Sequence, residues 1–184
     1  MKTNSKTDST TKYRIETERL NLVPVVDRDA EDVFSFTSNP NVTRWLTCET
    51  HRNIDHARTL IRNLNRPNSK YCTWAIRKRN TSRVIGLINF IRASNCQAEV
   101  HYMLAEEFWK QGLATEAVSS VVLYLKKFYS QIDKVVSDPV AINTGSCRVL
   151  EKCGFKRVNY RRVRWQKYFP KFVDVVCYEL DIRD

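Results

Sequence analysis

Phe108-Trp109-Lys110-Gln111-Gly112-Leu113-Ala114-Thr115-Glu116-Ala117, with its companion Asn143-Thr144-Gly145-Ser146-Cys147-Arg148-Val149-Leu150-Glu151-Lys152-Cys153-Gly154-Phe155, decides the fold. Together these stretches hold three of the four glycines in a chain of 184 residues, where ordinary usage would supply roughly thirteen. Such scarcity makes each glycine a candidate for a backbone position that tolerates no side chain. Gly112 falls where a strand-like run gives way to a long amphipathic helix. A helix start presents unpaired N–H groups and the positive end of the helix dipole, and glycine there lets phosphate oxygens come close to the backbone. The first stretch is therefore expected to be a phosphate-binding turn; the alternative is a helix entry without a ligand.

Outward from that turn the periodicities are plain. Ala114, Ala117, Val118, Val121, Leu125 and Phe128 follow helical spacing and give the long helix a buried stripe. Before it, Tyr71 to Lys78, Val84 to Ile91 and Gln97 to Leu104 are three strand-like runs broken at Arg79–Ser82 and Ala93–Asn95, the pattern of an antiparallel meander. Earlier still, Leu20 to Val23 alternates as a first strand. Asp29 to Phe36 and Ile54 to Leu64 are helical in spacing, with a turn at Asn39-Pro40-Asn41 between them. After the long helix, Lys134 to Val140 is a strand and Asn143 a natural N-cap. Gly154 suits the left-handed position past a helix end, with Phe155 folding back toward Leu150. Phe155 to Val163 and Phe172 to Ile182 close the chain as a strand pair.

The two stretches, together with Ile15-Glu16-Thr17-Glu18-Arg19-Leu20-Asn21-Leu22, resemble the GCN5-related N-acetyltransferases. The likeness is to the branch that acetylates the N-termini of ribosomal proteins, and it runs in order from about Tyr13 to the end. Two positions depart from that family's habit: Lys110 and His101 stand where glycine is common. The resemblance implies a single-domain α/β fold of order βααβββαβαββ, a mixed and mostly antiparallel sheet with helices on both faces, filling residues 13–184 behind a polar leader at 1–12. It also implies acetyl-CoA as cosubstrate and direct transfer to a primary amine, most expected at a protein N-terminus. A small-molecule amine, or a catalytically silent RNA- or ribosome-binding module, is the alternative. Cofactor contacts then fall on the backbone of Met103 and Leu104, on Gln111, Gly112, Leu113, Ala114 and Thr115, and on Asn143 and Ser146. The Leu104 N–H would polarise the thioester carbonyl.

Amine acetylation needs a cofactor site, an acceptor for the amine proton, and a group to stabilise the departing thiolate. Strand alternation puts Glu99, His101 and Met103 on one face and Ala98, Val100, Tyr102 and Leu104 on the other. Glu99 and His101 are the best general-base pair in the chain. The family supports Glu99, and the ordinary imidazole value near 6.5 supports His101; a solvated strand face is the third possibility. Ser146 is placed by the resemblance near the cofactor sulfur, to donate to the thiolate. Asn143 and Ser146 would equally serve as a capping pair. Cys147 and Cys153 have no evident base beside them, so an acyl-cysteine is not expected.

Composition sets the remaining bounds. With 42% hydrophobic residues, the chain is long enough for one core and short for two. It has no apolar run of membrane-spanning length and no secretory leader, which points to the cytoplasm. Six cysteines are scattered without a Cys-x-x-Cys pair, so no metal or disulfide framework is expected. A net charge of +11 favours anionic partners, namely coenzyme A, an acidic protein substrate or RNA on ribosomes; the alternative is a solvated surface that only keeps the protein in solution. The stretch Tyr160–Tyr168, including Arg161–Lys167, interleaves bases with aromatics. It is a solvated edge, an acceptor-docking segment or, in third place, an RNA contact. Trp45 is either core or a wall of the acceptor site. A monomer or homodimer is expected.

Overall fold

The computed structural model describes residues 14–66, 69–164 and 172–183. The leader expected at 1–12 lies outside them. Two short strands, β1 (Ile15–Glu16) and β2 (Leu20–Pro24), precede three helices, α1 (Ala30–Thr37), α2 (Pro40–Thr43) and α3 (Ile54–Leu64). The meander follows as β3 (Tyr71–Lys78), β4 (Val84–Arg92) and β5 (Gln97–Leu104). Then come α4 (Leu113–Phe128), β6 (Lys134–Ser137), α5 (Thr144–Lys152), β7 (Lys156–Arg164) and β8 (Phe172–Asp181). The eight strands form one sheet in the order β1-β2-β3-β4-β5-β6-β8-β7. All neighbours are antiparallel except β5 and β6. A parallel pair needs a crossover, and α4 supplies it.

Helices cover both faces. Trp74, Ile76, Ile88, Phe90 and Val100 turn toward α4 and α5, where they pack with Val118, Val121, Leu125 and Leu150. Ala75 and Leu87, next to these along the strands, turn the other way and pack with Val33, Phe36, Ala57 and Ile61 of α1 and α3. The period-two alternation of the central strands thus feeds two separate apolar clusters.

The sequence-based order βααβββαβαββ is matched apart from two small elements. β1 adds a two-residue strand at the sheet edge. Asn39-Pro40-Asn41, expected as a turn, opens the one-turn helix α2: the Asn39 side chain accepts from the Asn41 N–H at 2.9 Å and proline fills the first helical position. β6 stops at Ser137 rather than Val140. Pro139 has no N–H for the ladder, and Val140 makes only an isolated bridge to Val175. The end of α5 is as read from its residues. Gly154 has φ +86°, its N–H reaches the Glu151 carbonyl at 3.0 Å, and the Phe155 N–H reaches that of Leu150 at 3.1 Å. Among the described residues no helix is long and apolar enough to cross a membrane.

Candidate active site

The short strand β6 pairs only with the start of β5. Gln97, Ala98 and Glu99 pair with Lys134, Val135 and Val136; the last tie is the Ser137 hydroxyl, which donates to the Val100 carbonyl at 3.0 Å. Beyond that the strands part, leaving a fork with Glu99 at its base. The polarity of the open limb follows from strand alternation. The Ala105 N–H donates to the Ile85 carbonyl of β4 at 2.8 Å, so residues 103 and 101 also turn their backbone groups to β4, and residues 102 and 104 turn theirs to the fork. Of the two residues expected to lend backbone groups here, Leu104 faces the fork and Met103 faces Leu87 on β4. The backbone of Tyr102, like that of Leu104, faces the fork. The Leu104 carbonyl accepts from the Trp109 indole at 2.7 Å, which leaves its N–H as the group directed into the fork.

The turn after β5 is built from two left-handed residues, Lys110 at φ +59° and Gly112 at φ +76°. Lysine therefore adopts the conformation for which glycine is the common choice. Gly112 is the N-cap of α4 and no side chain caps the helix. The first intrahelical bond is Glu116 N–H to the Gly112 carbonyl at 3.0 Å, so the amides of Leu113, Ala114 and Thr115 form the helix mouth. Alternating backbone handedness and an uncapped helix start make a concave set of N–H donors, a geometry suited to a pyrophosphate. A Cβ built on Gly112 would meet only the Arg19 guanidinium, at 3.4 Å. Glycine is set here by φ rather than by crowding.

Arg19 and Glu116 hold this turn, a pairing that sequence reading did not single out. The Arg19 guanidinium donates to the Gln111 carbonyl at 2.9 Å and to Glu116 Oε2 at 2.6 Å. Glu116 Oε1 accepts from the Arg19 N–H at 2.8 Å and the Thr17 hydroxyl at 2.5 Å. Burial opposes ionisation of Glu116, but the donors from Thr17 and Arg19 outweigh it and hold the carboxyl below its ordinary range. The early segment Ile15–Leu22 is thereby tied to the turn, ninety-odd residues away in sequence.

On the α4–α5 face, Asn143 caps α5 by accepting from the Ser146 N–H at 3.3 Å. The Ser146 hydroxyl lies 2.8 Å from the Tyr102 phenol, which also reaches the Ser146 carbonyl at 3.1 Å. Burial pushes the Tyr102 phenol well above its ordinary value, although the Ser146 hydrogen bond pulls the other way. It is therefore a protonated donor throughout the neutral range. Sequence reading did not single out Tyr102; its face was legible, but its partner Ser146, 44 positions on, was not. α4 and α5 meet where the Cys153 thiol donates to the Thr115 carbonyl at 3.4 Å. Burial raises that thiol's pKa, and Cys147 is itself buried. Neither suits a nucleophile.

Glu99 and His101 project from the opposite face, their Oε1 and Nε2 atoms 3.5 Å apart, with 29% and 46% of the side chains exposed. The candidate base pair and Ser146 thus lie on two sides of one strand. Trp45 is half-buried beneath the Arg44 guanidinium, 4.6 Å from its ring centroid. In the basic strand β7, Arg157 pairs with Glu151, Arg161 with Asp138, and Arg162 stacks over Phe172. Residues 165–168 of that stretch lie outside the described residues. Among the described residues no group of three or more His, Cys, Asp or Glu is arranged to hold a metal ion.

The chain belongs to the acetyltransferase (GNAT) family, whose acetyltransferase (GNAT) domain matches residues 19–156. It is 34% identical over 149 residues to YoaA, an uncharacterized N-acetyltransferase of Bacillus subtilis (strain 168), spanning 78% of this chain and 82% of that one. MccE, a microcin C7 self-immunity acetyltransferase solved with acetyl-CoA and AMP, shares the fold with a TM-score of 0.79 at 18% identity, over 90% of this chain and 94% of its own. Spermidine N-acetyltransferase of Vibrio cholerae, solved with CoA and spermine, shares it with a TM-score of 0.76 at 17% identity, over 90% and 96%.

Proposed function

We propose that this acetyltransferase moves the acetyl group of acetyl-CoA directly to a primary amine, with a protein or peptide N-terminus as the acceptor. The observation that carries this reading is the junction of three features: the uncapped Lys110–Thr115 turn, the open limb of β5, and Ser146 at the start of α5. The amides of Gln111, Gly112, Leu113, Ala114 and Thr115 hold the pyrophosphate. Asn143 holds the cofactor arm in addition to capping α5, and the fork-facing backbone of Tyr102 and Leu104 runs alongside it.

In the transfer the amine nitrogen bonds to the thioester carbon as the carbon–sulfur bond breaks. The Leu104 N–H donates to the carbonyl oxygen as negative charge develops there. An amine is mostly protonated at neutral pH, so Glu99 accepts its proton through a water, with His101 modulating that step. Ser146 gives its hydroxyl hydrogen to the departing sulfur, and the Tyr102 phenol 2.8 Å away holds that hydroxyl in place. A protein N-terminus suits a chain of net charge +11 better than a polycation does, because like charge opposes encounter. A small amine remains the second reading, supported by the spermidine enzyme among the structural neighbours.

The test is thermal and kinetic. Acetyl-CoA should raise the melting temperature of the wild type, and CoA thiol should be released with N-terminal peptides. Gly112→Asp, which sets a carboxylate against the phosphates, should lose most of that shift. Equal shifts in both proteins would remove the cofactor from the turn. A salt-sensitive RNA complex without any acetyl-CoA response would instead favour a silent binding module.

A further inference from the structure

We infer that Thr73 and Asn89, in a row with His101 and beside Glu99, form the floor of an acceptor subsite selecting amines that carry a second N–H donor, as a peptide N-terminus does. This rests on the acetyl-transfer reading above. Thr73 on β3 is the register partner of Asn89 on β4, which is the partner of His101 on β5. Directly opposed residues of antiparallel strands point to the same face, so the three side chains form one row across the sheet. Glu99 is on that face too, two positions from His101. Along the same face on one side come Ala75, Leu87 and Met103, which pack against α1 and α3. The row begins where that apolar packing gives way.

Two atoms in the row are anomalous. Thr73 Oγ1 and Asn89 Oδ1 are both shut off from solvent and have no hydrogen-bond partner. Buried polar atoms are almost always partnered, and each exception calls for a reason. A third such atom, Asn21 Oδ1, lies on β2 opposite Arg77 and outside the row. The two in the row are neighbours across one strand pair and one strand away from the candidate base. Asn89 Oδ1 and the Glu99 carboxylate accept hydrogen bonds, the Thr73 hydroxyl can accept one as well as donate, and no lysine or arginine interrupts the row. A set of acceptors without a fixed cation is matched to a ligand rich in N–H donors.

Spacing favours a peptide. Strands lie about 4.8 Å apart and successive residues of an extended chain advance by about 3.5 Å. An amine held at Glu99 therefore brings its first amide N–H within reach of Asn89, and the chain beyond it runs on toward Thr73. A polyamine offers the same donor chemistry, but the protein's positive charge opposes it.

Shape-conserving variants test this. Asn89→Leu and Thr73→Val remove the orphan oxygens and, in the free protein, a desolvation cost, so each should melt at the wild-type temperature or about 3 °C higher. The ratio of kcat/KM for Ala-Ala-amide over n-propylamine should fall about tenfold in each, with the KM for acetyl-CoA unmoved. Asn89→Asp, which keeps an acceptor oxygen, should retain the wild-type ratio. An unchanged ratio in Asn89→Leu and Thr73→Val, with thiol release intact, would overturn the subsite and leave these atoms to a trapped water. A fall confined to spermidine would overturn the peptide assignment. Absence of acetyl-CoA binding and thiol release in the wild type itself is a different result, and it would remove the acetyl-transfer reading and this inference together.

Discussion

Ser146 and Tyr102 share a hydrogen bond of 2.8 Å, and the division of labour between them can be measured. Ser146→Ala should lower kcat by about ten- to a thousandfold while the KM for acetyl-CoA changes little, the pattern of a donor needed as the thiolate leaves. Tyr102→Phe should cost less, about three- to tenfold. Its pH–rate profile should keep the wild-type shape, because burial keeps the phenol protonated throughout the neutral range. A lost limb in Tyr102→Phe would make Tyr102 a titrating participant. His51 offers a stability test away from the chemistry. Burial and the neighbouring His56 lower its pKa from 6.5, and its Nδ1 lies 2.8 Å from the Thr37 hydroxyl, which itself donates to the Val33 carbonyl. Since the unfolded chain takes up that proton more readily than the folded one, this contribution is fully present above pH 6.5 and is lost as pH falls below it. Melting temperatures at pH 7.5 and 5.5 should differ more in the wild type than in His51→Gln; equal differences would place the acid sensitivity elsewhere.

At the scale of elements, Gly86 is the glycine whose place is set by crowding. A Cβ there would lie 2.4 Å from the Met103 carbonyl oxygen and 3.1 Å from Leu104 Cα, both backbone atoms of the limb that borders the fork. Gly86→Ala should therefore push the end of β5 outward, costing about 1–3 kcal/mol of stability and raising the KM for acetyl-CoA. Unchanged values for both would mean the limb is pliant. The sequence carried much of this architecture, and unevenly. Asn143 and Gly154 were legible as the two ends of α5 because caps are local, each settled by residues within one turn. The alternation of Gln97–Leu104 correctly separated Glu99 and His101 from Tyr102. The β5–β6 fork was not legible, since it depends on where a strand more than thirty residues later departs, and that departure follows from Pro139. Nor was the bracket of Thr17, Arg19 and Glu116, whose members are ordinary polar residues until the fold brings them together. The family resemblance implied backbone groups from Met103 as well as from Leu104. The phase of the β4 ladder, invisible in one strand's sequence, turns the Met103 backbone away.

For the molecule as a whole, charge and cofactor site make separable contributions. With a net charge of +11, the whole surface would steer an acidic peptide acceptor, over a reach that screening shortens to about 8 Å at physiological salt. The kcat/KM for a peptide with acidic residues after its N-terminus should fall as salt rises from 50 to 300 mM, while that for Ala-Ala-amide stays nearly flat. Parallel responses would show that steering plays no part. The turn at Lys110–Thr115, proposed above as the cofactor site, is held instead by the Arg19–Glu116 bracket and by Gly112 at φ +76°. Its function is tested most directly by acetyl-CoA-dependent thiol release with an N-terminal peptide as acceptor, in wild type and Gly112→Asp side by side. The wild type should turn over and saturate with acetyl-CoA, and Gly112→Asp, still folded, should lose turnover chiefly through a raised KM for acetyl-CoA. Equal turnover at equal KM in the two proteins would contradict a cofactor seated at the start of α4.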